Sequence, residues 1–328
     1  MARNVRIDSA KGLLIFLVVF AHAVIPIRTE PILFVLYKLI YSVHMPAFIF
    51  IAGMMAHKTV DQTSAAKLVE RIIVPLLVFE FIHELLDLAL TGSFKLKLAE
   101  LTPHWTLWFL LSLFIWRLLT PVIYSLRWPV ITCIVVACVA LMAPQTGTYL
   151  SVARTFSFLP FFAIGVIYGE LIITKIQNLK PAVAVSAAAI ALLVISFITD
   201  NLKREIFFGS DSFASLGLDI ATGLELRLIA YAVSFLAILA ILALALQTTF
   251  MAKWGRYSLI IYLWHSVIVR ISRNFYNKEF ISDNAILMLV AFTLASILIC
   301  WLFSRPTVVK ITNGLLKPLQ NGAARITK

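Results

Sequence analysis

Three ionisable side chains stand in one apolar stretch near the start of this 328-residue chain: Asp8, Lys11 and His22. The eleven positions from Lys11 to His22 make about three helical turns. Both side chains therefore project from nearly the same face, about 16 Å apart along the axis. Asp8 falls within about 40° of that face. An imidazole is the side chain best suited to proton transfer near neutral pH, so this line of groups favours acid–base chemistry. Because lipid tolerates charged side chains poorly, the face should meet protein or a watery cavity.

Two further histidines stand in later apolar stretches. His44 precedes Pro46, which should weaken the local backbone hydrogen bonding and bend the helix. His265 lies about twelve residues into its own stretch, and Tyr262 stands one turn before it. With His22 these residues give three mid-depth histidines on three helices, which are able to converge on one site. The alternative is that each histidine makes an interhelical hydrogen bond that serves packing alone. Tyr262 is a further candidate for catalysis or substrate positioning.

A second set of polar residues follows a helical stripe in the third apolar stretch. Glu80, His83, Glu84 and Asp87 are spaced i, i+3, i+4 and i+7, so they share one face. Such a stripe is able to accept hydrogen bonds from a polyhydroxylated substrate or to carry protons. The alternative is an ion-pairing face for an arginine of another helix, namely Arg117, Arg154 or Arg227.

The elements that must position these residues are membrane-spanning helices. The chain is 61% hydrophobic and 13% charged, with a mean hydropathy of +0.96, which is typical of an integral membrane protein. We predict an all-α fold of about ten transmembrane helices in one bundle with a central cavity, forming a single domain over residues 1–328. The expected spans are 8–27, 32–56, 68–90, 104–124, 128–143, 154–173, 180–199, 226–247, 253–272 and 284–304.

The charged residues indicate an orientation and exclude some functions. With ten spans, the side that holds both termini collects seventeen Lys and Arg residues against eleven on the other, which favours cytoplasmic termini. The net charge of +12 indicates topology and attraction to anionic lipid headgroups. Without a soluble basic module, a nucleic-acid role is not expected. The three cysteines stand in apolar runs without metal-ligand partners, so we predict no metal site.

Six short motifs spread along the chain carry a resemblance to a known family. They are IDSAKG from Ile7 with His22, HMPAFIFIAG from His44, RIIVP from Arg71, WFL from Trp108, FLPFFAIG from Phe158 and YSLIIYLWH from Tyr257. In type and order they resemble the acyltransferase type 3 family of membrane acyltransferases, especially its fucose 4-O-acetylase-like branch. Lys11 replaces the more frequent arginine of the first motif, and lysine does not give a bidentate phosphate contact.

The resemblance implies an activity. It implies transfer of an acyl group, most often acetyl, from cytoplasmic acyl-CoA to a sugar hydroxyl, with acetyl-CoA as donor and no metal. The acceptor would be a lipid-linked or polymeric glycan at the cell surface or secreted, and the enzyme would lie in the inner membrane. A multi-spanning transporter or flippase for a small polar or glycolipid substrate is the alternative, since it too would place polar residues at mid-membrane depth.

The resemblance also implies roles for named residues. His22 and Lys11 would be the catalytic residues, and His22 would deprotonate the acceptor hydroxyl or carry the acyl group as an acyl-imidazole. Asp8, His44, His265 and Tyr262 would have catalytic or positioning roles. The donor would be held by five residues: Lys11, Arg71, Phe158, Pro160 and Phe161. From the helical stripe rather than from the resemblance, we expect the acceptor to be held by Glu80, His83, Glu84 and Asp87, together with Trp108. Pro160 should break its helix midway, and broken helices at membrane depth usually line a cavity.

Overall fold

The protein is all-helical over the residues that the computed structural model describes, which are 3–28, 30–92, 94, 102–144, 149–200 and 202–326. Those residues contain no strand. The α-helices are α1 (Val5–Ala23), α2 (Pro31–Met54), α3 (Gln62–Leu68), α4 (Val74–Thr91), α5 (Trp108–Ser125), α6 (Pro129–Met142), α7 (Val152–Gln177), α8 (Pro181–Asp200), α9 (Glu205–Phe208), α10 (Ile220–Ala245), α11 (Ala252–Arg256), α12 (Ser258–Arg273), α13 (Lys278–Asp283), α14 (Ala285–Phe303) and α15 (Pro306–Ile326). Shorter 3₁₀ turns lie at Ile25–Ile27, Tyr149–Ser151 and Ala214–Leu216, and a π-helical turn lies at Val69–Ile73.

Six of the described helices are long and apolar enough to cross a membrane, which confirms a multi-pass protein. Three are whole helices, namely α5, α10 and α14. The other three are Leu33–Met54 in α2, Pro181–Thr199 in α8 and the segment Tyr149–Gln177 that contains α7. The other four expected spans fall on α1, α4, α6 and α12. Of these, α6 and α12 have 14 and 16 residues, and α1 and α4 each carry three charged residues and a histidine. The count of ten and the central cavity stay predictions.

The described helices group into two compact units, each discontinuous in sequence. Unit 1 comprises residues 1–48, 171–207 and 230–311, and unit 2 comprises 49–170, 208–229 and 312–328. Unit 1 contains α1, α8 and α11–α14, and unit 2 contains α3–α6. The boundaries fall within α2, α7, α9, α10 and α15. The single membrane domain expected from the sequence stays a prediction.

Within unit 1, α1 packs directly on α11 because glycines remove the side chains between the two backbones. A Cβ on Gly12 would stand 2.8 Å from the carbonyl carbon of Met251, and one on Gly255 would stand 2.6 Å from that of Asp8. Carbon atoms need about 3.5 Å, so only glycine allows this approach. The helix that carries Lys11 and His22 is therefore held against the segment that leads into His265.

Within unit 2, α2 and α7 make a similar approach. A Cβ on Gly165 would stand 2.9 Å from the carbonyl carbon of Phe50, and one on Gly53 would stand 3.0 Å from that of Phe162. Gly53 and Gly165 close the second and fifth of the six sequence motifs, so these two motifs describe one helix–helix contact.

Two expectations about helix breaks are corrected by the structure. Residue Pro160 does not break its helix, because α7 runs without interruption from Val152 to Gln177. A proline removes one backbone hydrogen bond, and the buried packing of residues 157–163 on both sides holds the helix together. The first helix, expected over 8–27, ends at Ala23, since Pro26 follows in a 3₁₀ turn. His22 therefore stands in the last turn of α1 instead of deep inside it.

Candidate functional site

The three predicted histidines come together in unit 1. The rings of His22 on α1 and His265 on α12 lie 5.5 Å apart between centroids, at an angle of 31°. Tyr41 on α2 joins them: its ring lies 6.5 Å from His22 and 4.8 Å from His44, edge-on to both. Tyr262 completes the group at 5.7 Å from His265. We call His22, Tyr41, His44, Tyr262 and His265 the histidine cluster.

Backbone carbonyls fix the tautomer of two of these rings. Nδ1 of His265 lies 2.5 Å from the carbonyl oxygen of Tyr262, and Nδ1 of His44 lies 2.6 Å from that of Ile40. A carbonyl oxygen only accepts, so each Nδ1 carries a hydrogen, and in the neutral ring each Nε2 offers a lone pair. Both rings are buried, whereas His22 is partly exposed. Among the described residues, Nε2 of His265 has no hydrogen-bond partner.

Lys11 and Asp8 form an ion pair at the other end of α1. Nζ of Lys11 lies 3.5 Å from Oδ1 of Asp8, and Nε of Arg3 lies 2.5 Å from its Oδ2. The Lys11 side chain remains 19% exposed. Asp8 therefore orients Lys11, and their charges largely cancel. Eleven residues of continuous helix keep both about 16 Å or more from His22.

The acidic stripe of unit 2 surrounds a residue that the sequence did not single out. His104 donates two hydrogen bonds to Glu80: its backbone N–H donates to Oε1 at 2.9 Å, and its Nδ1 donates to Oε2. Its Nε2 lies 3.7 Å from a Glu84 oxygen and 3.5 Å from an Asp87 oxygen. His83 stacks on the same ring at 5.4 Å. All five side chains are buried, so the stripe forms a buried polar cluster around one imidazole, and among the described residues no group fits a metal site.

The aromatic donor candidates of unit 2 lie between α5 and α7. Phe158 stacks on Trp108 at 5.5 Å, and Phe158 and Phe161 lie 6.3 Å apart. The guanidinium of Arg154 lies 5.2 Å above the Trp108 ring. Phe158, Pro160 and Phe161 are all buried. In this conformation Phe158 contributes to the packing of α5 on α7. The Arg154–Trp108 pair and the hydrogen bonds of Thr155 with Ser112 and Trp116 are polar contacts between the same two helices.

Arg71 occupies the π-helical turn that precedes α4. Pro75 has no N–H to give to the carbonyl of Arg71, and the wider turn at Val69–Ile73 accommodates the lost bond. The Arg71 side chain is exposed. The third motif, from Arg71 to Pro75, thus coincides with a π-helical turn, which places Arg71 just before α4.

Two members of these clusters escaped the sequence analysis. Tyr41 was not identified as a site residue, because a tyrosine three residues before His44 in an apolar helix is usually a packing residue. Its i, i+3 spacing to His44 was the available signal. His104 itself lies outside the described helices and precedes α5, so no helical periodicity connects it to the stripe on α4.

Comparison with known proteins agrees with the motifs. A family model described as "Acyltransferase domain" (Acyl_transf_3) matches residues 4–305. The nodulation protein NolL of Sinorhizobium fredii (strain NBRC 101917 / NGR234) is 30% identical over 187 residues, covering 52% of this chain and 50% of that protein. The chain thus matches about half the length of this curated relative. No solved structure matches significantly.

Proposed function

Since this chain belongs to the acyltransferase type 3 family, we propose that it moves an acyl group, most simply acetyl, from acyl-CoA to a sugar hydroxyl of a surface or secreted glycan. The observation that carries the proposal is the contact between His22 and His265 within the histidine cluster. A thioester is already activated, so the enzyme must mainly deprotonate an alcohol and stabilise the developing oxyanion.

His22 takes the proton of the acceptor hydroxyl. It is the partly exposed member of the cluster, so a substrate oxygen reaches it more easily than it reaches the two buried rings. The alcohol oxygen then attacks the thioester carbonyl carbon, the carbon–sulfur bond breaks, and the CoA thiolate leaves. The proton on His22 passes to that thiolate, which returns the imidazole to its neutral form.

His265 supports the charge that forms on His22. Its Nδ1 is engaged by the Tyr262 carbonyl, so its Nε2 lone pair faces outward from its own helix turn and is able to accept a hydrogen bond. An acceptor beside an imidazole stabilises the imidazolium, as a carboxylate does in a catalytic triad. The ring of His44 is oriented in the same way by the carbonyl oxygen of Ile40, and it contacts the rest of the cluster through the ring of Tyr41.

The donor roles of the other residues follow the family resemblance, and the acceptor roles follow the helical stripe of α4. Lys11 is partly exposed beside Asp8 and is proposed to hold a phosphate of CoA. A donor role for Arg71, which is exposed, is proposed from its sequence motif alone. Trp108 and the carboxylates around His104 are proposed to hold the sugar, since carboxylates accept strong hydrogen bonds from hydroxyls. An inner-membrane location with cytoplasmic termini places the donor end of α1 on the side where acyl-CoA is found.

Purified protein tests the proposal directly. We expect slow hydrolysis of acetyl-CoA without acceptor, which a transporter or flippase would not catalyse. His22→Ala should lower this rate by about 100-fold or more, the low end for a positioned base. His57→Ala is the matched control, since His57 is exposed outside the helices, and it should hydrolyse at the wild-type rate.

Two results would overturn the proposal. One is an absence of acyl-CoA turnover with any sugar acceptor in well-folded protein. The other is a His22→Ala protein that retains near-normal turnover. Mass spectrometry of surface glycans from cells with and without the protein would identify the acceptor, and unchanged acylation in its absence would contradict a glycan substrate.

A further inference from the structure

The last helix, α15, has two faces of different chemistry. Ile311, Leu315 and Leu319 are spaced four positions apart, so they form one stripe, and they are 63%, 43% and 55% exposed. Lys310 and Lys317 are seven positions apart, so they share another face, about 150° away from that stripe. Both lysines are exposed. We call Ile311, Leu315 and Leu319 the apolar stripe of α15.

The rest of the described chain covers only one side of this helix. Thr312 and Leu316 lie on that side, between the apolar stripe and the lysines, and both are buried. Nε2 of Gln320 donates a hydrogen bond to the backbone carbonyl oxygen of Glu70 at 3.0 Å. This bond ties α15 to the π-helical turn that carries Arg71. Packing therefore holds α15 along the protein, while the described residues leave the apolar stripe uncovered.

The place of α15 in the chain puts its start at a membrane surface. The preceding helix, α14, is one of the six that are able to cross a membrane, and only Ser304 and Arg305 separate it from α15. The guanidinium carbon of Arg305 lies 3.7 Å from the ring centroid of Trp301, in the last turn of α14. Tryptophan and arginine side chains at the end of a span are typical of the headgroup level. With 21 residues α15 is long enough to cross, but it is not among the six helices that are also sufficiently apolar.

The charge of this segment fits an anionic surface. From Arg305 to Ala324 the sequence carries three cations, namely Arg305, Lys310 and Lys317, and no Asp or Glu. A helix that lies in the membrane surface buries its apolar face at the boundary of the acyl chains and directs lysines to the headgroups. Each cation near an anionic surface favours the bound state about fivefold. A second copy of the chain docked through the same face would instead bring like charges together.

We propose that α15 is an interfacial helix that binds the anionic lipid surface of the membrane in which the protein lies. The apolar stripe enters the boundary of the acyl chains, and Lys310 and Lys317 reach the phosphates of the headgroups. Through Gln320 the helix keeps the turn that carries Arg71 at the same surface. The inference does not depend on acyl transfer.

Spin labels at single positions of the full chain test which face meets lipid. The protein is placed, one copy per nanodisc, in a mixture of phosphatidylcholine and phosphatidylglycerol, and the label is attached to Leu315→Cys or Leu319→Cys. Asn313→Cys and Asn321→Cys are the matched controls, because both positions are exposed and lie on the polar side of the same helix. The native cysteines are buried, so wild-type protein treated with the label gives the background.

Collisions of the label with oxygen and with a water-soluble nickel chelate distinguish lipid from water and from protein. Labels at positions 315 and 319 should favour oxygen and lie about 5–10 Å below the headgroup level, whereas labels at positions 313 and 321 should favour nickel. Nickel access at all four positions would show that the stripe faces water and would overturn the proposal. Poor access of both reagents at positions 315 and 319 would show a protein surface over the stripe, which would also overturn it.

The same nanodiscs test the role of lipid charge. As phosphatidylglycerol replaces phosphatidylcholine, the docked population of the label at position 319 should rise. Lys310→Gln and Lys317→Gln should each lower the ratio of docked to undocked label about fivefold at one lipid composition. Lys180→Gln is the matched control, since Lys180 is exposed between α7 and α8, and it should leave the ratio unchanged. Complete docking without phosphatidylglycerol, an unchanged ratio in both α15 variants, or an equal loss in the control would overturn the proposal.

Discussion

A single methyl group at Gly255 is expected to disturb the histidine cluster from a distance. In Gly255→Ala, the new Cβ would stand 2.6 Å from the carbonyl carbon of Asp8 and 2.8 Å from the backbone nitrogen of Gly12. Carbon atoms need about 3.5 Å and the Asp8 carbonyl oxygen would lie closer still, so α11 must move at least about 1 Å away from α1. Because α12 begins two residues after α11 ends, the same movement carries His265 away from His22.

The magnitude of the effect follows from this displacement. Inserting a methyl into a tightly packed contact costs about 1–3 kcal/mol of stability. A misplacement of about 1 Å between catalytic groups lowers the rate about 100-fold. Gly255→Ala should therefore reduce acetyl-CoA hydrolysis by about two orders of magnitude while the protein still folds. The assays are the hydrolysis rate and thermal unfolding in detergent, measured on the same preparation.

Gly314→Ala provides the matched control for this experiment. Gly314 lies within α15, and a Cβ there meets nothing within 4 Å. Alanine should be neutral or stabilise the helix by about 0.5–1 kcal/mol, with no change in the hydrolysis rate. If Gly255→Ala also shows wild-type stability and turnover, the direct backbone contact between α1 and α11 does not position the site, and the reasoning fails.

Three further changes test other contacts. Lys11→Ala should raise the KM for acetyl-CoA and Lys11→Arg should retain much activity, whereas an unchanged acetyl-CoA affinity in Lys11→Ala would contradict the donor role. His104→Phe leaves the surrounding carboxylates without their imidazole and should destabilise the protein by about 3 kcal/mol or more; an unaltered unfolding temperature would refute this. Gly165→Ala should separate α2 from α7 and lower thermal stability by about 1–3 kcal/mol, and wild-type stability would show that the contact adapts.

The fold class was accessible from the sequence because the bilayer imposes it. Long apolar stretches have one structural solution that satisfies every backbone group, so composition alone predicted a multi-pass helical protein. Helix ends were less predictable where a proline intervened. The structure ends α1 before Pro26 yet carries α7 through Pro160. A proline near a helix end stops it, while one within a long buried helix costs a hydrogen bond that tight packing offsets.

Only those features of the candidate site that lie within a single helix were predictable from the sequence. Periodicity placed Lys11 and His22 on one face of α1, and it gave the stripe on α4, because a helix fixes relative direction within itself. Periodicity did not identify Tyr41 as the residue between His22 and His44. Nor did it identify His104 as the residue that the stripe surrounds. Those positions depend on which helix faces which, and that information resides in interhelical contacts.

The glycines supply much of that missing information. Gly12 and Gly255 bring α1 against α11, and Gly53 and Gly165 bring α2 against α7, each by removing the atoms that would keep two backbones apart. All four stand within or beside the sequence motifs, next to residues whose chemistry attracted attention first. The motifs therefore combine two kinds of information: Lys11 and His265 supply reactive groups, and the neighbouring glycines determine which backbones meet.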